Sequence, residues 1–312
     1  MAGNFRDELG NAFIAAGEEF KDLVVVTADV SKSTRSIEFK KRWPERFYSV
    51  GIAEANAVSI AAGISSFNHP VIFTAYGVFA TEKPFEQIRN TVCYPNMNVK
   101  IVATHGGISV GEDGATHQAI EDIAIMRALP NMKVIVAADP GEVKAAVFEA
   151  IRTPGPVYVR LGRNVGGYVH TNPNEVSIKL GKAEVLKEGK DVTLAAVGIM
   201  VEQSLKAAEE LEKQGISAKV INLRTIKPID TDTLTTAAKE TGAIVTVEDH
   251  NCYGGTFGAV AETIALNYPV PIERVALEDT FGESGNGALL VEKYGLTVDN
   301  ICKKAKKAIE RK

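Results

Sequence analysis

The chain has 312 residues, of which 45% are hydrophobic and 24% charged, and this length and composition predict a globular protein of two domains. Its 35 basic and 39 acidic residues give a formal net charge of −4, which does not favour nucleic acid or a membrane surface as a partner. Because we find no apolar run of bilayer length, no signal peptide and only three widely spaced cysteines, we expect a cytoplasmic protein without a disulfide framework or a zinc site.

Both halves of the chain alternate short apolar runs with helical patterns. In the first half, helical patterns at residues 54–63 and 140–152 lie among Val- and Ile-rich runs at residues 23–28, 71–74, 99–104, 133–138 and 157–161. These runs barely alternate with polar residues, which is typical of strands buried on both faces of a parallel sheet. The second half repeats the scheme, with helices at residues 201–214 and from Thr231, and strands at residues 191–198, 218–223 and 243–247.

This repetition predicts an α/β protein of two doubly wound domains. Between the halves, residues 164–181 are rich in Gly, Asn and Pro and lack helical periodicity, which is typical of a linker. We therefore place the first domain at residues 1–165, the linker at 166–181 and the second domain at 182–312.

Ligands of open parallel sheets bind at the carboxyl ends of the strands, so the segments that follow the strands are the candidates for chemistry. The richest of them, residues 105–117, holds four glycines, two histidines and two acids. The spacing of the histidines matches no zinc pattern, whereas histidine donors and the Asp113 carboxylate suit the oxygens of a sugar or a phosphate. Three further segments also follow predicted strands: residues 28–33, residues 51–54 after a short predicted strand at residues 47–50, and residues 161–164.

Several other residues have an ordinary structural interpretation beside a functional one. Glu54 begins an Ala-rich helix, where a carboxylate commonly compensates the helix dipole. Tyr76 and Phe79 are either core residues or a flat surface on which a ring could stack. Arg6, Ser33 and Arg163 carry no signal of their own.

Together, six segments resemble transketolases: residues 28–35 (ADVSKSTR), 47–64, 85–90 (FEQIRN), 103–134, 138–140 (ADP) and 161–164 (LGRN). The similarity covers essentially the whole chain and is strongest to the type that is divided between two genes. It implies a pyrimidine-binding (Pyr) domain followed by a transketolase C-terminal domain. The implied activity, part of pentose phosphate metabolism, moves a two-carbon ketol unit from a ketose phosphate to an aldose phosphate through thiamine diphosphate.

The resemblance also implies roles for individual residues around the cofactor. Glu54 matches the catalytic glutamate that bonds, in its protonated form, to the ring nitrogen of the aminopyrimidine. Tyr76 and Phe79 match the aromatics that pack that ring, although the family usually has Phe at the first position. Asp29 matches an acidic position near the cofactor.

A second set of matched residues faces the sugar phosphate. Asp113 and the catalytic His117 match residues that contact the hydroxyls and the carbonyl end of the sugar. The residues that match the phosphate-binding positions are Arg6, Ser33, His105 and Arg163. Arg6 lies 23 residues before Asp29, as in the family, and we expect no catalytic residue in the second domain.

One expected element is missing from the sequence. The family holds Mg²⁺ and the diphosphate with GlyAspGly and a downstream Asn, whose oxygens are suitable hard ligands. Here Glu112 replaces the first Gly of that motif, and Asn131 is too close to serve. We therefore expect no metal ligands in this chain. We expect an N-terminal partner subunit that carries the Mg²⁺ and diphosphate site, in an α2β2 assembly with sites between the subunits.

Two alternatives stay open. One is half of a deoxyxylulose phosphate synthase-like ketol transferase, which the amino-acid sequence of residues 103–134 disfavours. The other is a catalytically silent scaffold subunit of the same fold, which the presence of both Glu54 and His117 disfavours.

Overall fold

The computed structural model describes residues 4–163, 167–170, 172 and 175–312, so the predicted domain boundary at 165/166 and part of the predicted linker lie outside the described residues. The strands are β1 (Val24–Thr27), β2 (Phe47–Ser49), β3 (Val71–Tyr76), β4 (Val99–Thr104), β5 (Lys133–Val136), β6 (Val157–Arg160), β7 (Glu184–Lys187), β8 (Val192–Ala196), β9 (Ala218–Asn222), β10 (Thr225–Lys227), β11 (Ile244–Asn251) and β12 (Ile272–Leu277). The helices are α1 (Phe5–Glu19), α2 (Ile37–Arg42), α3 (Glu54–Ser65), α4 (Gly77–Thr81), α5 (Phe85–Gln87), α6 (Asp122–Ala128), α7 (Val143–Arg152), α8 (Met200–Glu212), α9 (Thr231–Thr241), α10 (Thr256–Asn267), α11 (Gly287–Lys293) and α12 (Val298–Ile309). Within the described part of the chain, no helix is both long and apolar enough to cross a membrane.

The strands form two sheets, which confirms the prediction of two doubly wound α/β domains. The first sheet has the order β10-β5-β6-β4-β3-β1-β2 and the second the order β12-β11-β8-β9-β7. All pairings are parallel except those of β10 with β5 and of β7 with β9, at one edge of each sheet. The central strands β3 and β4 are almost wholly buried, as their continuous apolar sequences predict.

Strand β10 joins the two halves of the chain. It comes from the second half, yet it pairs with β5 of the first sheet, where Thr225 lies opposite Ile135. Apolar packing also continues between the halves, since Leu161, which follows β6, belongs to the same buried cluster as Met200 at the start of α8. The second domain therefore supports the carboxyl edge of the first sheet.

A charged cluster ties the same two halves together near the linker. His170 contacts Asp139 at 3.1 Å and Glu184 at 2.9 Å, and Arg224 lies 2.5 Å from both Glu142 and Glu184. Burial opposes protonation of His170, but the hydrogen bonds to Asp139 and Glu184 outweigh it and raise its pKa to about 10. Because His170 and Arg224 already pair with all three of these carboxylates, we interpret the cluster as a structural connection between the domains.

Candidate functional site

The predicted site residues gather where the strands of the first sheet end. Because parallel strands present their carboxyl ends at one edge, residues from five strand ends meet there. Asp29 follows β1, Glu54 follows β2, Tyr76 ends β3, His105 follows β4 and Arg163 follows β6. Asp29 and His105 both adopt the left-handed backbone region, with φ of 61° and 64°. Non-glycine residues in this region carry backbone strain and concentrate at functional sites.

Glu54 is the first residue of α3 and is only 6% exposed. Gly51, with φ of 75°, turns the chain from β2 towards this helix. The Glu54 carboxylate meets the ammonium of Lys83, whose Nζ lies 3.2 Å from each carboxylate oxygen. Lys83 also lies 4.6 Å from the centroid of the Phe79 ring. Nothing in the local sequence separates Lys83 from a surface lysine, so sequence reasoning did not single it out.

A row of rings lies beside this ion pair. The Tyr76 and Phe79 rings stack with centroids 5.9 Å apart, and the Tyr76 and His105 rings stack at 3.9 Å. His117 meets the Phe79 ring edge-on at 5.1 Å. The structure thus brings four predicted residues into one contiguous group of rings, and Lys83 connects that group to Glu54.

His105 is a buried, neutral histidine. It is 1% exposed, and its Nδ1 lies 2.8 Å from the Thr104 hydroxyl. Burial, assisted by the positive charges of Arg163 and Arg6, lowers the pKa of His105 to about 3. At neutral pH this side chain can therefore donate or accept a hydrogen bond but brings no positive charge to a phosphate.

We expect the His105 imidazole to stay neutral from pH 8 down to pH 5, about two units above its pKa near 3. An unfolded histidine has a pKa near 6.5. Between about pH 6.5 and pH 3, His105 is therefore protonated in the unfolded chain but not in the folded chain. The folded state therefore loses stability as the pH falls through that window. Imidazole nitrogen shifts measured by NMR in the native chain, with His105→Asn to assign the signal, test this. A His105 signal that titrates near pH 6.5 would contradict it.

The cationic residues of the site are held by short contacts. Arg6 donates from Nε to the backbone oxygen of Ser33 at 2.7 Å, and its own N–H is capped by Asn4 at 2.9 Å. Arg163 lies 3.2 Å from the Asp113 carboxylate and donates to the backbone oxygen of Val110. These contacts pair Arg6 with Ser33 and Arg163 with Asp113. Asp29 is exposed and enters none of these contacts.

The second domain anchors the glycine-rich loop at residues 105–117. Asp249, at the end of the second domain's β11, accepts the N–H of Ile108 at 2.9 Å. A Cβ at Gly107 would lie 1.9 Å from the same carboxylate, so only glycine fits there. Sequence reasoning missed Asp249, because no local pattern reveals a contact between residues this far apart in the chain.

Comparison with known proteins matches this sequence and fold to one family. The family model for the transketolase pyrimidine-binding domain matches residues 2–167, and the model for the transketolase C-terminal domain matches residues 181–301. A Methanocaldococcus jannaschii protein described as a transketolase C-terminal section is 43% identical over 96% of this chain and 94% of its own length. The 6-deoxy-6-sulfo-D-fructose transketolase subunit of a Clostridium species is 38% identical over 98% of this chain and 95% of its own length.

A solved structure gives the same result. It is described as the inactive beta4 tetramer of a split gene transketolase, is 43% identical, and superposes with a TM-score of 0.91 over 100% of both chains. Both the Pyr domain and the C-terminal domain are therefore present here, in the order that the sequence predicted. The chain belongs to the transketolase family, as a C-terminal section of the split-gene type.

Proposed function

We propose that this chain is the catalytic C-terminal subunit of a cytoplasmic transketolase that moves a two-carbon ketol unit from a ketose phosphate to an aldose phosphate. The observation that carries the proposal is the buried Glu54 carboxyl, which Lys83 connects to the stacked Tyr76 and Phe79 rings. Activity would require an N-terminal partner that holds Mg²⁺ and the diphosphate of thiamine diphosphate, in an α2β2 assembly. The domains would span residues 1–165 and 182–312, on either side of a linker at 166–181.

The residues at the strand ends fit the aminopyrimidine half of thiamine diphosphate. An aromatic surface suits a planar ring, and a carboxyl with little exposure suits one of its ring nitrogens. The carboxylates of the glycine-rich loop fit a metal less well, because Asp113 and Glu112 lie 3.2 and 3.8 Å from the Arg163 guanidinium. The proximity of these carboxylates to Arg163 supports a metal site on the partner.

When bound, the cofactor supplies the nucleophilic carbon that accepts the two-carbon unit. Glu54 holds a proton on its carboxyl and shares it with a ring nitrogen. Asp113 and His117 orient the sugar oxygens, His117 from its place at the edge of the Phe79 ring. Asp29 acts near the cofactor.

The phosphate of the sugar would bind at the cationic side of the site. Arg6 and Arg163 supply charge-assisted hydrogen bonds, and Ser33 adds a neutral donor. His105 contributes a neutral donor as well, since its low pKa leaves it uncharged. Binding the remote phosphate positions the reacting carbon and so contributes to the rate.

The test is turnover of xylulose 5-phosphate with ribose 5-phosphate in the presence of thiamine diphosphate and Mg²⁺. We expect no turnover from this chain alone or from the N-terminal subunit alone, and turnover from the mixture. The mixture without thiamine diphosphate is the control. Turnover by this chain alone would contradict the need for a partner.

A second assay distinguishes the two alternative functions from the proposed one. Adding pyruvate and an aldose phosphate to the mixture tests the deoxyxylulose phosphate synthase-like alternative. A mixture active only in that assay would overturn the transketolase proposal, and a mixture that assembles but is inactive in both would favour the silent scaffold.

A further inference from the structure

Lys83 has no role in the proposed mechanism, yet it lies at the centre of the site. It sits in the turn between α4 and α5, and its side chain is 49% exposed. Its ammonium lies over the Phe79 ring and donates hydrogen bonds to both carboxylate oxygens of Glu54. The ammonium therefore lies between the carboxyl and one of the rings assigned to the aminopyrimidine.

This ion pair differs from the surface pairs of the same chain. The Glu54 side chain is 7% exposed, whereas in the pair of Lys206 with Glu202 both side chains are accessible, at 52% and 25%. In the part of the chain that the structure describes, Lys83 is the sole hydrogen-bond partner of the Glu54 carboxylate. A nearly buried carboxylate with a single cationic partner depends on that partner for its hydrogen bonds.

The ion pair and the proposed role of Glu54 exclude each other. An ammonium that donates to both oxygens occupies the accepting positions of the carboxylate. Donation to a ring nitrogen requires instead a protonated carboxyl that faces the ring. Because half of the Lys83 side chain already meets solvent, its ammonium can leave Glu54 and become hydrated without unfolding any element.

We propose that Lys83 is a displaceable counter-ion that occupies Glu54 in the cofactor-free chain and leaves it when the aminopyrimidine ring binds. This inference rests on the proposed function of Glu54. Displacing Lys83 costs free energy that the cofactor must supply, so Lys83 sets the affinity for thiamine diphosphate. The carboxyl takes its proton from solvent as the ammonium leaves, and Lys83 keeps its own proton.

The test is the equilibrium affinity for thiamine diphosphate, measured by calorimetry with Mg²⁺ on the complex with the N-terminal subunit. We expect Lys83→Met to bind the cofactor roughly three- to tenfold more tightly than the wild type. Lys83→Arg retains the cation and should stay close to the wild type. Lys206→Met removes a half-exposed lysine from an ion pair of the second domain and should leave the affinity unchanged. Thermal unfolding of each variant checks that the fold is kept.

A Lys83→Met complex that binds the cofactor as the wild type does, or more weakly, overturns the inference. In a Glu54→Gln background, Lys83→Met should have no effect on affinity, and an effect that persists there also overturns it. A wild-type complex that binds no thiamine diphosphate would instead overturn the proposed function itself. The two failures are therefore distinguishable.

Discussion

Replacing Glu54 with Ala should lower the turnover of the assembled enzyme by about 100- to 10,000-fold, the range typical of a lost acid–base group. Among the predicted carboxylates of the site, Glu54 is the one that combines burial with a position at the strand ends, since Asp29 is exposed and the Asp113 side chain is 37% exposed. If Glu54 holds the proton shared with the cofactor ring, we expect no replacement for it, since among the described residues the side chain hydrogen-bonded to its carboxylate is the Lys83 cation. The measurement is the turnover number with the N-terminal subunit, thiamine diphosphate and Mg²⁺ all saturating.

The control for this substitution addresses the ordinary structural interpretation of Glu54. A glutamate in a first helical turn compensates the helix dipole, which contributes less than about 1 kcal/mol at an exposed site. Glu202 occupies such a position in α8 and is paired with Lys206 at 2.7 Å. Glu202→Ala should therefore change turnover little. Near-wild-type turnover by Glu54→Ala, or equal losses for both variants, would show that Glu54 is only a first-turn carboxylate.

The sequence predicted the sheets well wherever a strand is continuous and apolar. The runs that were predicted as strands from residues 23 to 161 correspond to β1, β3, β4, β5 and β6, within one to two residues at each end. Strands β7, β10 and β12 were not predicted. β10 has only three residues and β7 lies at a sheet edge, while β12 carries Glu273 and Arg274 among its apolar residues. A short or partly polar segment gives too weak a pattern, and its pairing depends on strands far away in the chain.

The site residues also fall into those that the sequence predicted and those that it did not. Position after a strand brought attention to Glu54 and to the loop with His105 and His117, because strand ends can be read locally. Lys83 and Asp249 act through contacts with Glu54 and with the N–H of Ile108 that depend on the folded chain. The protonation state of His105 could not be predicted from the neighbouring sequence either. Its low pKa comes from burial and from two arginines that precede and follow it by many residues.

A buried ionic network lies behind the glycine-rich loop. Arg160 donates to the Asp122 carboxylate at 2.8 Å and to the backbone oxygen of Asp249 at 2.8 Å. The Tyr158 hydroxyl donates to Asp122 at 2.5 Å. The side chains of Arg160 and Asp122 are 6% and 0% exposed. The network therefore joins β6 to α6 and to the second domain, out of reach of water.

Replacing Asp122 with Ala should reduce the free energy of unfolding by about 3–5 kcal/mol, because it leaves the Arg160 guanidinium buried without its counter-ion. Urea unfolding of the variant beside the wild type measures the change. Glu19→Ala is the control, since it removes the partner of Arg152 from an ion pair of which both side chains are about half exposed, 57% and 47%. That loss should stay below about 1 kcal/mol.

The double variant Asp122→Leu with Arg160→Met separates the cost of an unpaired charge from the value of the pair. Apolar replacements of a buried ion pair often restore stability, so the double variant should be more stable than Asp122→Ala. It should nevertheless lose turnover, because Arg160 also donates to the backbone oxygen of Ala119 at 3.1 Å, just beyond His117. A double variant as unstable as Asp122→Ala would mean that the network stabilises the fold through its hydrogen bonds to the backbone. A stable double variant with full turnover would mean that the loop keeps its geometry without support from Arg160.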